Sequence, residues 1–583
     1  MKSTLMSRRD LDFLLFEWLA VDALTKRERF SDHSRETFDG VLDLCEELAT
    51  RYFAPHNKTS DANEPTFDGT RVTVIGEVKE ALDAFAKADL IGMSMDGALG
   101  GAQLPVCVAQ AGFAWMSAAN VSTSGYVMLT IANANLLAKF GTDEQRERYV
   151  LPMLAGRFTG TMALSETQAG SSLADITTRA EPRDDGTYRL FGSKMWISGA
   201  EHEMSENIVN LVLAKIPGGP AGTKGISLFV VPKFLADGTR NGVTISGLNH
   251  KMGQRGITNT VLDLDGAIGY LVGEPHRGLT YMFHMMNEAR LGVGMGAVSL
   301  GYTGYLKSLQ YARERPQGRP VTAKDPTTPQ VPIVEHADVK RMLLAQKAYV
   351  EGGLALALYC ARLIDVAQTA ESDAERDETT LLLDILTPVA KSWPSQWCLE
   401  ANNLAIQVHG GYGYTREYDV EQHYRDNRLN PIHEGTHGIQ SLDLLGRKVT
   451  QRGGASLTEL GKHVTDAVDR AASAGDDAAE LAAQLDASWH RLVAVTAGMF
   501  GSGDAEAAMA NSVVYLEAFG HVVLAWMWLE QFIATQGQSG DFYDGKRQAA
   551  RYFFRYELPR TAPQLDLLES LDRTTLDMRD AWF

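Results

Sequence analysis

Between Gly160 and Gly278 the hydrophobic pattern changes its period. Upstream, apolar residues recur at helical spacing in ETFDGVLDLCEELATRYFAPHN and VIGEVKEALDAFAKADLIGM. Inside the block they alternate. YRLFGSKMWISGA, ENIVNLVLAKI, GISLFVVPKF, GVTISGL and ITNTVLDLDG read as short strands divided by Gly, Asp and Asn turns. Downstream, helical spacing returns in EHADVKRMLLAQKAYVEGGLALALYCARLIDVAQ, where Val339, Met342 and Leu343 begin an apolar stripe. A small antiparallel β unit therefore interrupts a mainly helical chain. The expected division is 1–35, an N-terminal helical extension; 36–160, an N-terminal helical domain; 161–277, a middle β domain; 278–450, a four-helix-bundle-like domain; and 451–583, an additional helical domain.

Several boundaries carry local signals. Thr142 followed by Gln145 predicts a capping box. Pro388 and Pro394 predict kinks or breaks within the helical stretch 375–401. Leu11, Leu14, Leu15, Trp18 and Leu19 predict an amphipathic docking helix. The twin arginines Arg8 and Arg9 suggest an export signal, but Asp10, Asp12, Glu17 and Asp22 interrupt the run behind them. Residues 97–138 carry no charge, yet Gln103, Asn120 and Asn133 make them too polar for a membrane span. Buried helices lining a pocket are expected. The net charge of −18 argues against nucleic acid as a partner. The four cysteines form no CxxC pair, so reduced structural thiols in a cytoplasmic protein are expected.

The chemistry concentrates in QVHGGYGYTREYDVEQHYRDNRLNPIHEGTHGIQSLDLLGRK, residues 407–448. HEGTH fits the zinc-protease pattern HExxH, in which two histidines one helical turn apart bind metal. The alternative is a base, Glu434, on a turn. Pro431, Gly435 and Thr436 each weaken a helix here and disfavour zinc. Four further stretches stand out. TMALSETQAGSSLADI has small residues that permit close backbone approach to a ligand. GSKMWISGA places Lys194, Trp196 and Ser198 on one strand face by alternation. HMMNEARLGVGMGA carries Arg290 among small residues. LQYARERPQGRP ends a helix with Arg313, Arg315 and Arg319, a basic patch in an acidic chain.

Together LSETQAGS, KMWISGA, KMGQRG, the Arg290 helix, ARERPQG, QVHGGYGY and HEGT resemble the acyl-CoA dehydrogenases over most of residues 80–450. RDLDFLLFEWL, NEPTF, GSSLADI and the FYDGK tail are similar to a longer subgroup acting on 3-(methylthio)propanoyl-CoA. Three positions depart from the family pattern: Thr167 for a proline, PQG after Arg315 without an aromatic, and Gly438 for a glutamine.

The resemblance implies FAD as cofactor and Glu434 as the base that removes the α-proton of an acyl-CoA thioester, while flavin N5 takes the β-hydride. It implies flavin contacts from Met162, Leu164, Ser165, Gly170, Ser171, Trp196 and Ser198. Arg315, Gln317, His336, Gln407, Gly410, Gly411 and Thr436 would also contact FAD, partly across a homodimer or dimer-of-dimers interface. Ser171, Arg290 and Gly435 would face the acyl-CoA, and no metal is implied. The implied substrate is 3-(methylthio)propanoyl-CoA or a short to medium acyl-CoA, and the acceptor is electron-transfer flavoprotein. A longer-chain dehydrogenase, an acyl-CoA oxidase and a zinc metalloprotease are the alternatives.

Overall fold

The computed structural model describes residues 3–323 and 325–583. The chain divides into two compact units. One comprises Asp32–Pro105 and Gly112–Gly292. The other comprises the described residues up to Ser31, with Val106–Ala111 and Val293–Phe583.

The first of these units surrounds a sheet with helices. The helix Arg35–Leu48 opens on a Ser34–Thr37 capping box, and the expected Thr142–Gln145 box forms as well. A short hairpin pairs β1 (Thr66–Phe67) with β2 (Val72–Thr73). The main sheet contains β3 (Phe158–Ala163), β4 (Arg179–Pro182), β5 (Tyr188–Ser198), β6 (Asn207–Lys215), β7 (Ile226–Pro232), β8 (Val243–Leu248) and β9 (Asn259–Leu271). Its order is β3-β6-β4-β5-β9-β7, β8 adds to β9, and β6 also pairs with β7, so the sheet curls back on itself. Pairing is largely antiparallel, as expected. The exceptions are β3 and β4, which run parallel to β6.

Strand β6 shows why the sheet sits inside the unit. Its alternate side chains feed two different cores. Val209, Leu211 and Leu213 pack with Leu136, Leu137 and Tyr149. Val212 and Ala214 pack with Leu190, Phe229 and Val231. Burial on both faces explains its almost uninterrupted apolar run. The helix Val121–Phe140, uncharged until Lys139 in its last turn, covers one face. Asn133 at its centre donates from Nδ2 to the carbonyls of Thr161 (2.9 Å) and Val209 (2.8 Å). Gly160 allows that approach: a Cβ there would lie 2.6 Å from Asn133 Cβ.

The other unit is built on the long helices Ala337–Gln368 and Asp373–His409. The second helix runs unbroken through Pro388 and Pro394, so of the kinks or breaks expected at these prolines no break forms. Pro394 has no N–H for the Ala390 carbonyl. The backbone at Gly294 comes up against that carbonyl so closely that a Cβ would lie 2.0 Å from it. Both prolines and their neighbours are buried, so tertiary packing keeps the helix continuous through two missing bonds.

The N-terminal docking helix is formed. It starts at Arg8 and buries Leu11, Phe13, Leu14, Leu15 and Leu19. The helix Ser512–Ala534 is long and apolar enough to cross a membrane, but 83% of its apolar window is buried within the protein. Its Trp528 Nε1 donates to the Ala348 carbonyl at 3.1 Å, on the helix Ala337–Gln368. Residues of the added C-terminal segment thus pack directly on the bundle. The four cysteines are buried and unbridged.

Candidate active site

The segment Asn430–Thr436 turns the chain from the helix Val420–Asn427 into the helix His437–Asp443. Glu434 (φ 52°) and Gly435 (φ 89°) are both left-handed. A non-glycine residue held there costs conformational energy, and such outliers cluster at functional sites. Gly435 has no alternative: a Cβ would lie 2.6 Å from Gln440 Nε2. That same amide donates to the Glu434 carbonyl at 3.1 Å. Lys391, fully buried on the helix Asp373–His409, donates from Nζ to the carbonyls of Asn430 (2.8 Å) and Gly435 (2.7 Å). Thr436 caps the following helix by accepting from Ile439 N at 3.3 Å. Glu434 itself is half-buried.

The two histidines do not share a helix. His437 is the first residue of one, while His433 belongs to the turn before it. His433 Nε2 donates to Asn430 Oδ1 at 2.9 Å. Behind Asn430 stand Asn427 and Asn402, joined by side-chain hydrogen bonds of 2.8 and 2.7 Å. His437 Nε2 pairs separately with Gln396 Oε1 at 3.2 Å. Burial, with the Lys391 charge adding to it, pushes His433 down to about 3 and His437 to about 4. Both are neutral polar props for the turn rather than a two-histidine helical face.

A second group lies at the ends of the long helices of the same unit. Pro316 bridges to Pro332, which sets Arg315–Gln317 beside His336. His336 Nε2 donates to the Gln317 carbonyl at 2.7 Å. The Arg315 guanidinium lies 5.6 Å from the centre of the Tyr412 ring. Gln407 is exposed on the last turn of the helix Asp373–His409. Gly410 then adopts φ 60°, ψ −139°. A Cβ at Gly410 or Gly411 would meet no protein atom, so at Gly410 it is the backbone conformation that demands glycine.

The remaining predicted residues belong to the unit that contains the sheet. Strand β5 carries a bulge: Lys194 pairs with Leu262, but Ile197 pairs with Thr260. Trp196 sits in the extra position with φ 66°. Its indole is 62% exposed, whereas Lys194 is fully buried. This corrects the strand-face expectation. Lys194, Trp196 and Ser198 do not share a face, because the extra residue re-aims the side chains around it. Met195 N donates to the Ser165 carbonyl at 2.9 Å, and Thr161 Oγ1 donates to the Ser198 carbonyl at 2.6 Å. These bonds bring Met162, Leu164 and Ser165 alongside Trp196 and Ser198. Gly170 and Ser171 are exposed beyond them. Arg290 is buried, with Nη1 3.4 Å from Asn287 Oδ1.

Glu166 locks this arrangement and was not singled out in the sequence. It pairs with Lys194 at 2.9 Å, both side chains being inaccessible. It also accepts from the backbone N–H of Thr177 (2.7 Å) and Thr178 (3.0 Å). Burial works against its charge, yet Lys194 and these donors hold it well below the usual carboxylate range. Burial pushes Lys194 down to about 8, opposed by Glu166. Lys391 was also missed. Its signal was present: it is the one Lys or Arg between Arg376 and Arg416, inside an otherwise apolar stretch.

Family models match four consecutive segments: "Acyl-CoA dehydrogenase, N-terminal domain" at 36–157, its "middle domain" at 161–267, its "C-terminal domain" at 276–449, and "Acetyl-CoA dehydrogenase C-terminal like" at 458–579. The chain is 37% identical to 3-methylmercaptopropionyl-CoA dehydrogenase of Ruegeria pomeroyi, over 94% of each chain. It is 33% identical to the broad-specificity linear acyl-CoA dehydrogenase FadE5 of Mycobacterium tuberculosis, over 99% of each. Among solved structures, an acyl-CoA dehydrogenase complexed with FAD from Bacillus anthracis superposes with TM-score 0.76 at 20% identity. That match covers 94% of this chain and 90% of the other.

Proposed function

The chain belongs to the acyl-CoA dehydrogenase family, and on that premise we propose that Glu434 is the base of an FAD-dependent α,β-dehydrogenation of an acyl-CoA thioester. It is an oxidoreductase acting on acyl-CoA, and FAD is its cofactor. The observation that carries the base assignment is the left-handed pair Glu434–Gly435, held at its backbone carbonyls by Gln440 and Lys391.

The residues fit the cofactor. Trp196 offers an exposed flat face on the β5 bulge, and the Ser165 and Ser198 backbones lie beside it. In our reading these residues, with Met162, Leu164, Gly170 and Ser171, receive the flavin ring system. Arg315, Gln317, His336, Gln407, Gly410, Gly411 and Thr436 serve the remainder of the cofactor, some of them from the other subunit of a homodimer. Arg315 and Gln317 supply charge and hydrogen bonds suited to a diphosphate. FAD, when bound, supplies the two-electron acceptor for the β-hydride.

The protein's own part is proton removal and orientation. A thioester α-hydrogen is weakly acidic. Its removal is helped when the base is desolvated and the carbonyl accepts hydrogen bonds as enolate charge develops. Gly435 faces the acyl-CoA through its backbone, and the Glu434 backbone N–H is the proposed donor to the thioester carbonyl. Arg290 and Ser171 complete the acyl-CoA contacts.

The substrate reading follows the relative that is 37% identical: 3-(methylthio)propanoyl-CoA or a short to medium acyl-CoA. Electrons then pass to electron-transfer flavoprotein. The decisive experiment is anaerobic bleaching of the flavin band. Wild type is expected to bleach with an acyl-CoA, and Glu434→Gln to bleach about 10²–10⁴-fold more slowly. Glu434→Gln bleaching at the wild-type rate would remove Glu434 from the role. A series from butanoyl-CoA upward, including 3-(methylthio)propanoyl-CoA, tests the substrate.

A further inference from the structure

We propose that Lys391 and Gln440 clamp the Glu434 turn, and that Lys391 is a positioning residue for proton abstraction. The proposal rests on reading Glu434 as the base. One ammonium reaches both ends of the turn, at the Asn430 carbonyl (2.8 Å) and the Gly435 carbonyl (2.7 Å). Gln440 fixes the carbonyl between them, that of Glu434, at 3.1 Å. Three backbone carbonyls around the carboxylate are thus tied to side chains that are fully buried. Of the two successive left-handed residues Gly435 adopts its φ freely, but Glu434 is in a costly conformation that the chain leaves unless its surroundings over-determine it.

The choice of lysine has a physical reason. Burying an ammonium is expensive unless its N–H groups are satisfied. A methionine of similar volume would fill the space without that cost. What lysine adds is a pair of charge-assisted hydrogen bonds to carbonyls five residues apart. Its charge also reaches the imidazoles on either side of the base, helping to hold His433 and His437 neutral. Neither histidine then competes with Glu434 as a cationic hydrogen-bond donor or a proton source.

The test uses FAD-loaded wild type, Lys391→Met, Gln440→Met and Glu434→Gln. Flavin content, KM, anaerobic bleaching rate with butanoyl-CoA, and the isotope effect of α-deuterated butanoyl-CoA are measured. Backbone hydrogen exchange over 430–440 gives a readout independent of turnover. Lys391→Met is expected to keep its flavin and its KM, and to bleach about 10- to 100-fold more slowly, as a misplaced catalytic group does. Its α-deuterium isotope effect should rise and the turn amides should exchange faster. Gln440→Met should show the same changes at smaller size. Lys391→Met bleaching within about twofold of wild type overturns the proposal. So does a defect confined to flavin content or KM with an unchanged isotope effect. If Lys391→Met does not fold, Gln440→Met decides, and wild-type bleaching in that variant overturns the clamp. Glu434→Gln bleaching at the wild-type rate defeats the base assignment instead, while hydrogen exchange still reads the clamp.

Discussion

Lys546 Nζ lies 2.9 Å from Glu351 Oε2, and both side chains are buried. The same ammonium also pairs with Asp10 and donates to Gln531 Oε1 at 3.0 Å. Its carboxylate partners come from the N-terminal helix and the bundle helix Ala337–Gln368, so a residue near the C-terminus ties together segments far apart in sequence. Tyr302 OH donates to the second Asp10 oxygen at 2.9 Å. Burial opposes the charge of Glu351, but Lys347 and Lys546 hold it below its usual range, whereas burial wins at Asp10 and raises it.

Lys546→Met is therefore expected to cost about 3–5 kcal/mol, because it leaves buried Asp10 without its cation and Glu351 with Lys347 alone. Combining it with Asp10→Asn should recover part of the loss, since coupled neighbours are not additive. Denaturant unfolding of the single and double variants checks this. A loss under about 1 kcal/mol would show that the network is not fastening the C-terminal segment.

Glu166→Gln should behave in a similar way, and its effect should depend on pH. The carboxyl of Glu166 is depressed in the fold relative to its ordinary value of 4.5. Its charge therefore stabilises the protein fully above about pH 4.5, and that contribution disappears as pH falls through the lower folded value. The wild-type advantage over Glu166→Gln is expected to be about 3–5 kcal/mol at neutral pH and to shrink in acid. Paired melts from pH 7 down to pH 3 measure it. A pH-independent difference would mean that shape, not charge, holds Lys194 in place.

Glu288 has the opposite sign. It accepts from Asn135 Nδ2 at 3.2 Å and lies 3.5 Å from His284 Nε2. Burial pushes Glu288 up to about 7, against the pull of Asn135 and Lys139, and pushes His284 down to about 4. Between those values the contact joins two neutral groups rather than an ion pair. Because the folded value exceeds the ordinary 4.5, stability is lost as pH rises from about 4.5 through about 7. Glu288→Gln should raise the melting temperature at pH 8 and change it little at pH 4. A third of the side chain's surface is accessible, so solvent damps the effect. An equal shift at both pH values would contradict the assignment.

The sequence carried the architecture because period is a local property. Alternation in β5 to β9, the Thr142–Gln145 box and the stripe from Val339 each report on their own neighbourhood. The site was legible as motifs but not as geometry. Alternation could not show that β5 gains an extra residue at Trp196, since a bulge depends on how β9 pairs. Proline rules allowed a break at Pro388 and Pro394 that does not form, because the packing that holds that helix comes from distant segments. Glu166 and Lys391 look like ordinary charged residues until the fold buries them beside their partners. HEGTH permits a helix or a turn, and the left-handed pair at Glu434–Gly435 settles which one forms.

Trp196 gives the clearest separation of function from stability. A tryptophan that served the core would cost about 3–5 kcal/mol on removal. This one is 62% exposed, and its backbone sits in a conformation that glycine adopts without strain. Trp196→Gly should relieve that strain while adding chain entropy to the unfolded state, two effects of about 1 kcal/mol each and opposite sign. The flavin-free variant should therefore melt close to flavin-free wild type. Its retention of FAD should fall sharply, read as the ratio of flavin to protein absorbance after gel filtration. A large loss of stability without loss of flavin would make Trp196 a packing residue and remove it from the proposed flavin face.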